Sequence, residues 1–189
     1  MKEVAVRISE FDWGDSFMVS RTTQLAWLTF FCAAFAFGCS KTTDLPPNSE
    51  EGRVRETFTA LQSSLKARDA DKLWKLLDSE SQADAERAAQ AVQAAYAKAD
   101  ANEKSEQDKA LGLPGDQLAG LTALGFLKTT RFHGKYDELS ESKIDKVTVQ
   151  GDKATVAYTE PDGDKEKVSL VRQDGQWKVS LPMPKATQP

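Results

Sequence analysis

The sequence predicts an α+β fold in which N-terminal helices pack on a C-terminal four-stranded antiparallel meander. In the first part of the predicted domain, apolar residues recur every three or four positions, which is the period of an amphipathic helix. In the last part they alternate with polar residues, which is the period of a strand. Since the helices come first and the strands second, we expect the helices to cover the apolar face of the sheet.

The first helix has apolar residues at spacings of four, three and four, at Val54, Phe58, Leu61 and Leu65. Ser49 is its expected N-cap, because it precedes two acidic residues that suit the positive end of the helix dipole. A second, short helix is predicted to begin at Asp71 after a turn.

Three further segments precede the sheet. An alanine-rich run predicts a third helix over residues 81–99 with a thin apolar stripe. Residues 100–110 are almost wholly polar and predict a solvated helix or loop. One more short helix is expected to start near Asp116 and to end before Gly125.

Four strands are predicted at the end of the chain, joined by tight turns that contain Gly and Asp. Their alternating residues are Val147 and Val149; Ala154, Val156 and Tyr158; Val168 and Leu170; and Trp177, Val179 and Leu181. This alternation indicates a sheet with one buried face and one solvated face.

An uncharged segment precedes the domain. Residues 25–38, LAWLTFFCAAFAFG, would form a helix only about 21 Å long at about 1.5 Å per residue. A bilayer core is about 30 Å thick, so the segment is typical of the apolar region of a signal peptide. Arg21 supplies a short positive region before it, and Gly38 and Cys39 follow it.

The order of positive region, apolar region, small residue and cysteine resembles the lipobox of bacterial lipoproteins. The resemblance implies cleavage between Gly38 and Cys39, a diacylglycerol on the Cys39 thiol, and acylation of the new amino terminus. It implies a cell-envelope protein that is anchored in membrane lipid and faces the periplasm or the exterior. Ordinary secretion, with cleavage at another small residue and Cys39 as a bystander, is the alternative.

These features divide the chain into five segments. Residues 1–17 carry four acids and two bases, which is unusual ahead of a signal, so we expect translation to begin at Met18. The remaining segments are a signal peptide, 18–38; a lipidated cysteine and a flexible spacer rich in Ser, Thr, Pro and acids, 39–51; a single α+β domain, 52–182; and a C-terminal tail, 183–189.

The two ends of the domain, FTALQSSLKARDADKLWKLLD and KIDKVTVQGDKATVAYTEPDGDKEKVSLVRQDGQWKVSL, resemble the nuclear transport factor 2-like superfamily. The shared features are a first helix, a short acidic turn, a leucine-rich second helix and a last strand that carries a tryptophan. The resemblance implies a cone-shaped curved sheet. A helical hairpin packed on a sheet, unrelated to that superfamily, is the alternative architecture.

Few residues predict chemistry. His133 is the sole histidine, and we expect it at the surface or at an edge rather than as a base. A site built from Cys and His ligands is excluded, because both cysteines, Cys32 and Cys39, lie in or beside the apolar segment. Asp162, Asp164 and Glu166 alternate as in a calcium loop but lack its remaining ligands, which favours solvated acids at a hairpin tip.

No phosphate-binding or dinucleotide motif occurs, and we expect no cofactor, no metal and no catalytic residue. A net charge of −4 lacks the basic field that drives nucleic-acid binding, so no nucleic-acid partner is expected. The sequence therefore favours a membrane-tethered, non-catalytic binding or assembly module for a protein or a small apolar ligand.

The alternative function comes from the superfamily resemblance, since some of its members are isomerases, cyclases or dehydratases with polar groups in an apolar pocket. An enzyme of this kind needs at least two polar side chains that converge in one pocket. The residues that could supply them are Tyr96, Tyr136, Tyr158 and Asp137.

Overall fold

The computed structural model describes residues 49–185, which fall within one compact unit. The expectations for Met18, for Gly38 and Cys39, and for most of the spacer concern residues that lie outside this range. None of the helices within residues 49–185 is both long and apolar enough to span a membrane.

The elements follow the predicted order of helices and then strands, which confirms the α+β fold class. The helices are α1 (Glu50–Lys66), α2 (Ala70–Leu76), α3 (Ser79–Lys98), α4 (Ala101–Leu111), α5 (Gly115–Ala119), α6 (Ala123–Phe126) and α7 (Thr130–Tyr136), followed by a 3₁₀ helix (Glu138–Glu141). The strands are β1 (Lys143–Gln150), β2 (Lys153–Thr159), β3 (Lys165–Gln173) and β4 (Gln176–Ser180).

Helix α1 begins where its capping residue predicted. The Ser49 side chain accepts a hydrogen bond from the backbone N–H of Gly52 at 3.0 Å, which satisfies one of the free amides of the first turn. Glu50 and Glu51, assigned to the spacer from the sequence, form this first turn. All four apolar residues of the predicted stripe are buried.

Acidic caps also set the starts of α3 and α4. The Asp78 carboxylate accepts from the backbone N–H of Ser81 at 2.7 Å, and Asp100 forms a reciprocal capping box with Glu103. Helix α3 buries the alanine stripe against the core, whereas α4 buries only Leu111. The solvated segment of the sequence is therefore a helix with one buried residue at its end.

The segment between α4 and the sheet differs from the prediction. The single helix expected to start near Asp116 and to end before Gly125 is instead two short helices, α5 and α6, because the chain leaves the helix at Gly120 and Thr122 caps a new one. The Thr122 hydroxyl accepts from the backbone N–H of Gly125 at 3.1 Å. Helix α7 and the 3₁₀ helix were not predicted, because these elements are too short to show a clear period.

The four strands form an open antiparallel sheet in the order β1-β2-β3-β4, as the sequence predicts for a meander. Asp145 is an extra residue in β1, which keeps Ile144 opposite Tyr158 and Val147 opposite Val156 on the same face. The turn between β3 and β4 places Asp174 and Gly175 at φ values of 51° and 76°, as a two-residue hairpin requires.

The inner face of the sheet packs against the helices, chiefly against α1. Val156, Leu170 and Val179 lie on this face and are fully buried. A parallel bridge between Leu77 and Val179 joins the outer side of β4 to the α2–α3 connection. The helical layer thus covers the centre of the sheet and leaves one end of its inner face less covered.

Candidate functional site

Strand β4 ends at Ser180, opposite Ser169, so the first residues of β3 have no partner in β4. Pro182 explains why β4 ends there. The last pair of the β3–β4 ladder is Ser169 with Ser180, and continuing the register would place Pro182 opposite Lys167. Proline has no N–H to donate to a neighbouring strand. Its carbonyl instead accepts hydrogen bonds from the Tyr136 hydroxyl and, at 2.8 Å, from the Lys135 ammonium.

A cleft of about 490 Å³ opens where β4 leaves the sheet. It lies between the inner face of β2 and β3, helix α7 with the 3₁₀ helix, and the segment after β4. Half of its lining residues are aromatic or aliphatic: Tyr136, Leu139, Tyr158, Val168, Leu181 and Pro182. Four charged residues also line it, Lys135, Glu160, Glu166 and Lys167. We call this space the tyrosine cleft.

The two tyrosines of the cleft differ in how their hydroxyl groups are used. Tyr136 donates its hydroxyl to Pro182, whereas the Tyr158 hydroxyl has no hydrogen-bond partner within residues 49–185. Tyr158 is only 6% exposed, and its ring lies 5.5 Å from that of Phe58. Burial, helped by Glu160 and Glu166, raises the pKa of Tyr158 to about 12, so this hydroxyl stays protonated.

Burial also raises the pKa of Tyr136, with Tyr158 as a second cause. Both phenols are therefore neutral at ordinary pH. The hydroxyl of Tyr158 can donate one hydrogen bond and accept others from a molecule in the cleft.

Two carboxylates extend the inner face of the sheet at the cleft. Glu166 is the direct cross-strand partner of Tyr158, and Glu160 follows Tyr158 by two residues on the same face. Neither acid forms an ion pair within the described part of the chain. Partial burial raises the pKa of Glu160, and the neighbouring acids Glu138, Asp162 and Glu166 raise it further.

The two lysines of the cleft do not neutralise these acids. The Lys135 ammonium donates to the Pro182 carbonyl and lies 5.4 Å from the centre of the Tyr136 ring. Partial burial lowers the pKa of Lys135. Lys167 is in β3 between Glu166 and Val168, so its side chain projects from the opposite face of the sheet.

The structure brings together only two of the four residues that the pocket-enzyme alternative named. Tyr136 and Tyr158 line the tyrosine cleft. Asp137 lines a neighbouring cleft of about 450 Å³. Tyr96 is on α3, where burial and then the charge of Asp108 raise its pKa.

His133 corrects the expectation of a surface or edge position. It is 3% exposed, lies in α7, and its Nε2 atom is buried without a hydrogen-bond partner. Burial lowers the pKa of His133, and the nearby Arg68 lowers it further, while Asp137 acts in the opposite direction. The sequence could not predict this burial, because the burial depends on how helix α7 packs and α7 itself was not predicted.

Within the described residues, one group of carboxylates could approach a cation together. Glu138, Glu160 and Asp162 each offer an oxygen within 4.8 Å of the others, but Glu138 and Asp162 are exposed. Calcium takes six to eight oxygen ligands, more than this group supplies. The three alternating acids Asp162, Asp164 and Glu166 do not form one site. Asp162 accepts a hydrogen bond from the backbone N–H of Asp164 in the turn, whereas Glu166 lines the cleft.

Sequence reasoning missed the cleft itself and the roles of Glu160 and Pro182 in it. The alternation through Tyr158 carried a usable signal, because it also places Glu160 on the inner face. The predicted lipidation and cleavage residues, Gly38 and Cys39, lie outside the described range. Comparisons with protein-family models, with curated proteins and with solved structures found no match.

Proposed function

We propose that this chain is a membrane-tethered binding module of the cell envelope, held by a lipid on Cys39, and that its tyrosine cleft binds a small, mainly apolar ligand. The cleft carries the second half of this proposal. Its volume of about 490 Å³ lies within the usual range of small-molecule sites, about 300–1,000 Å³. Its aromatic and aliphatic residues offer a contact surface for an apolar body, and its polar groups can orient that body.

The tether rests on the sequence alone. The uncharged segment 25–38 is followed by Gly38 and Cys39, and then by residues rich in Ser, Thr and Pro up to the start of α1. A diacylglycerol with a further acyl chain would give long-lived membrane attachment, because each buried methylene contributes about 0.8 kcal/mol.

Labelling with a clickable fatty acid tests the tether. Cells that express the wild type should show a labelled band, and Cys39→Ala should remove it. Cys32→Ala is the matched control, because Cys32 is the only other cysteine of the chain and lies seven residues earlier. Equal labelling of the wild type and Cys39→Ala, or loss of the label only in Cys32→Ala, contradicts a lipid on Cys39.

Filling the cleft tests the ligand site. Val168 is 4% exposed and lines the cleft, so Val168→Phe should reduce the space for a ligand. Thr155→Phe adds a ring on the opposite face of the same sheet and is the matched control. We expect solvent extraction and mass spectrometry of the purified chain to recover a small molecule from the wild type and Thr155→Phe, but not from Val168→Phe.

Equal recovery from all three proteins contradicts binding in the cleft. Urea unfolding of both variants checks that any loss does not come from a collapsed domain, since overpacking a core costs about 1–3 kcal/mol.

A pocket enzyme is the second candidate, and one observation favours it. The Tyr158 hydroxyl is unpartnered within the described residues, and the raised pKa of Glu160 suits a proton donor or acceptor in the same cleft. Incubating the recovered molecule with fresh protein tests this candidate. A change in its mass or retention that Glu160→Gln abolishes supports an enzyme, and an unchanged molecule supports a binding module.

A further inference from the structure

The two carboxylates of the tyrosine cleft and the Tyr158 hydroxyl lie on one side of it, whereas the Lys135 ammonium is on the other side. Tyr158, Glu160 and Glu166 share the inner face of the sheet, with Tyr158 and Glu166 directly opposite each other in the β2–β3 ladder. The wall across from them is formed by Tyr136 and Leu139. A ligand in the cleft would therefore have its apolar body against one wall and a polar group at the other.

The charge of this polar side is negative and uncompensated. Glu160 and Glu166 have no ion-pair partner within residues 49–185, and Glu138 lies close enough to Glu160 to share a hydrogen bond with it. Lys135 is bonded to the Pro182 carbonyl on the helix side. A cation would relieve the repulsion among these acids, whereas an anion would increase it.

The Tyr158 hydroxyl is a separate indication of a ligand. The side chain is more than nine-tenths buried, yet its oxygen finds no hydrogen-bond partner in the described part of the chain. The ring is packed in the core while the hydroxyl reaches the cleft, so this oxygen is available to hydrogen-bond a molecule held there.

We propose that the ligand of the tyrosine cleft is an organic cation, a primary ammonium on an apolar body. A primary ammonium has three N–H donors. The cleft offers three acceptors, the hydroxyl oxygen of Tyr158 and one carboxylate oxygen each from Glu160 and Glu166. The apolar body lies against Leu139, Val168 and Leu181. This inference rests on the proposed function, because it assigns the chemical class of the ligand of the same cleft.

Three probes that share one apolar body and differ in the head group distinguish the contribution of the head group to affinity from that of the body. They are 4-phenylbutylammonium, 4-phenylbutanoate and 4-phenylbutan-1-ol, titrated calorimetrically into the full chain at one fixed detergent concentration. We expect the wild type to bind the ammonium at least tenfold more tightly than the alcohol, and the carboxylate most weakly. A tenfold difference corresponds to about 1.4 kcal/mol.

Variants assign that preference to the two acids. The double variant Glu160→Gln with Glu166→Gln keeps the side-chain shapes and should reduce ammonium affinity at least tenfold while leaving alcohol affinity unchanged. Tyr158→Phe should cost a smaller factor, because it removes one acceptor. Glu86→Gln, at an exposed position on α3, is the matched control and should change nothing.

Each outcome decides a different statement. Equal binding of the three probes, or ammonium binding that the double variant leaves unchanged, overturns the cation inference but keeps the cleft as an apolar site. No binding of any probe by the wild type overturns the cation inference and also contradicts an apolar ligand site in the cleft. Unchanged circular dichroism and urea unfolding confirm that the variants are folded.

Discussion

The two ends of the inner face of β3 carry opposite charges and are used differently. Its inward residues are Glu166, Val168, Leu170 and Arg172, with charged groups at the ends and apolar groups between them. At one end Arg172 is paired, since its guanidinium contacts Glu50 and lies 4.9 Å from the centre of the Trp177 ring. At the other end Glu166 has no ion-pair partner within the described residues and faces the tyrosine cleft.

The difference follows from what lies across from each end. Helix α1 begins at the Arg172 end, so the Glu50 carboxylate accepts hydrogen bonds from both the guanidinium and, at 3.1 Å, the Trp177 indole. At the Glu166 end β4 stops at Ser180, and among residues 49–185 no lysine or arginine forms an ion pair with Glu166. One end of the face is therefore closed by a structural ion pair, and the other is a candidate binding site.

A substitution at the centre of the inner face of β3 should have the largest effect on stability. Leu170 is fully buried, and Leu170→Ala should lower the free energy of unfolding by about 2–5 kcal/mol through lost burial and a residual cavity. Urea unfolding measures this loss. A loss below about 1 kcal/mol would mean that the helices do not pack tightly on this part of the sheet.

The two charged ends should differ in stability when their charges are removed. Arg172→Met should cost about 1–2 kcal/mol, because it removes a partly buried ion pair and a cation–π contact. Glu166→Gln should change the free energy of unfolding by less than about 0.5 kcal/mol, as for other exposed positions. The two variants are compared by urea unfolding at one pH. Equal losses contradict the division into a structural end and a binding end.

Acid should lower the free energy of unfolding of the domain through His133, which lies in helix α7. Because burial holds the folded-state pKa of His133 below the unfolded value of 6.5, the unfolded chain binds the proton more tightly. The stability associated with neutral His133 is therefore present above pH 6.5 and is lost as the pH falls below it. Urea unfolding at a series of pH values measures this slope.

The variant His133→Gln isolates the effect, because the chain has only one histidine. We expect the wild type to lose more stability than the variant between pH 7 and pH 5. Parallel curves for the two proteins would show that the histidine titrates alike in the folded and unfolded states.

The smallest effect concerns the acids at the mouth of the cleft. Burial and three neighbouring carboxylates raise the pKa of Glu160, and Glu138 is the first of these neighbours. Glu138→Gln should therefore lower the pKa of Glu160, as measured by carbon-detected NMR titration of the side-chain carboxyl. Glu86→Gln is the control. An unchanged pKa of Glu160 in Glu138→Gln would mean that the Glu138 carboxylate does not act on Glu160.

Much of the fold could be predicted because its signals are local. The stripe of α1 and the Ser49 cap depend on residues a few positions apart. The strand alternation and the glycine-containing turns depend on near neighbours in the same way. The break between α5 and α6 and the helix α7 escaped prediction, because helices of four to seven residues show too little of a period.

The candidate site was predicted only in part. The sequence singled out Tyr136 and Tyr158, but it gave equal weight to Tyr96 and Asp137, which do not line the tyrosine cleft. His133 was expected at the surface or at an edge because no second His or Cys could share a site with it, and its burial comes from a helix that was not predicted. The cleft also depends on Pro182, whose effect appears only when its place in the ladder is known.

The sequence by itself determined the order of helices and strands, the faces that they bury and the expectation of a lipid anchor at Cys39. These follow from periodicity, capping and the order of residues around one cysteine. Only the tertiary structure decided that Tyr136 and Tyr158 line one cleft, and that Glu160 and Glu166, which line it too, lack ion-pair partners within residues 49–185. The reason is physical: a cavity and an unpaired charge are defined by residues far apart in the chain.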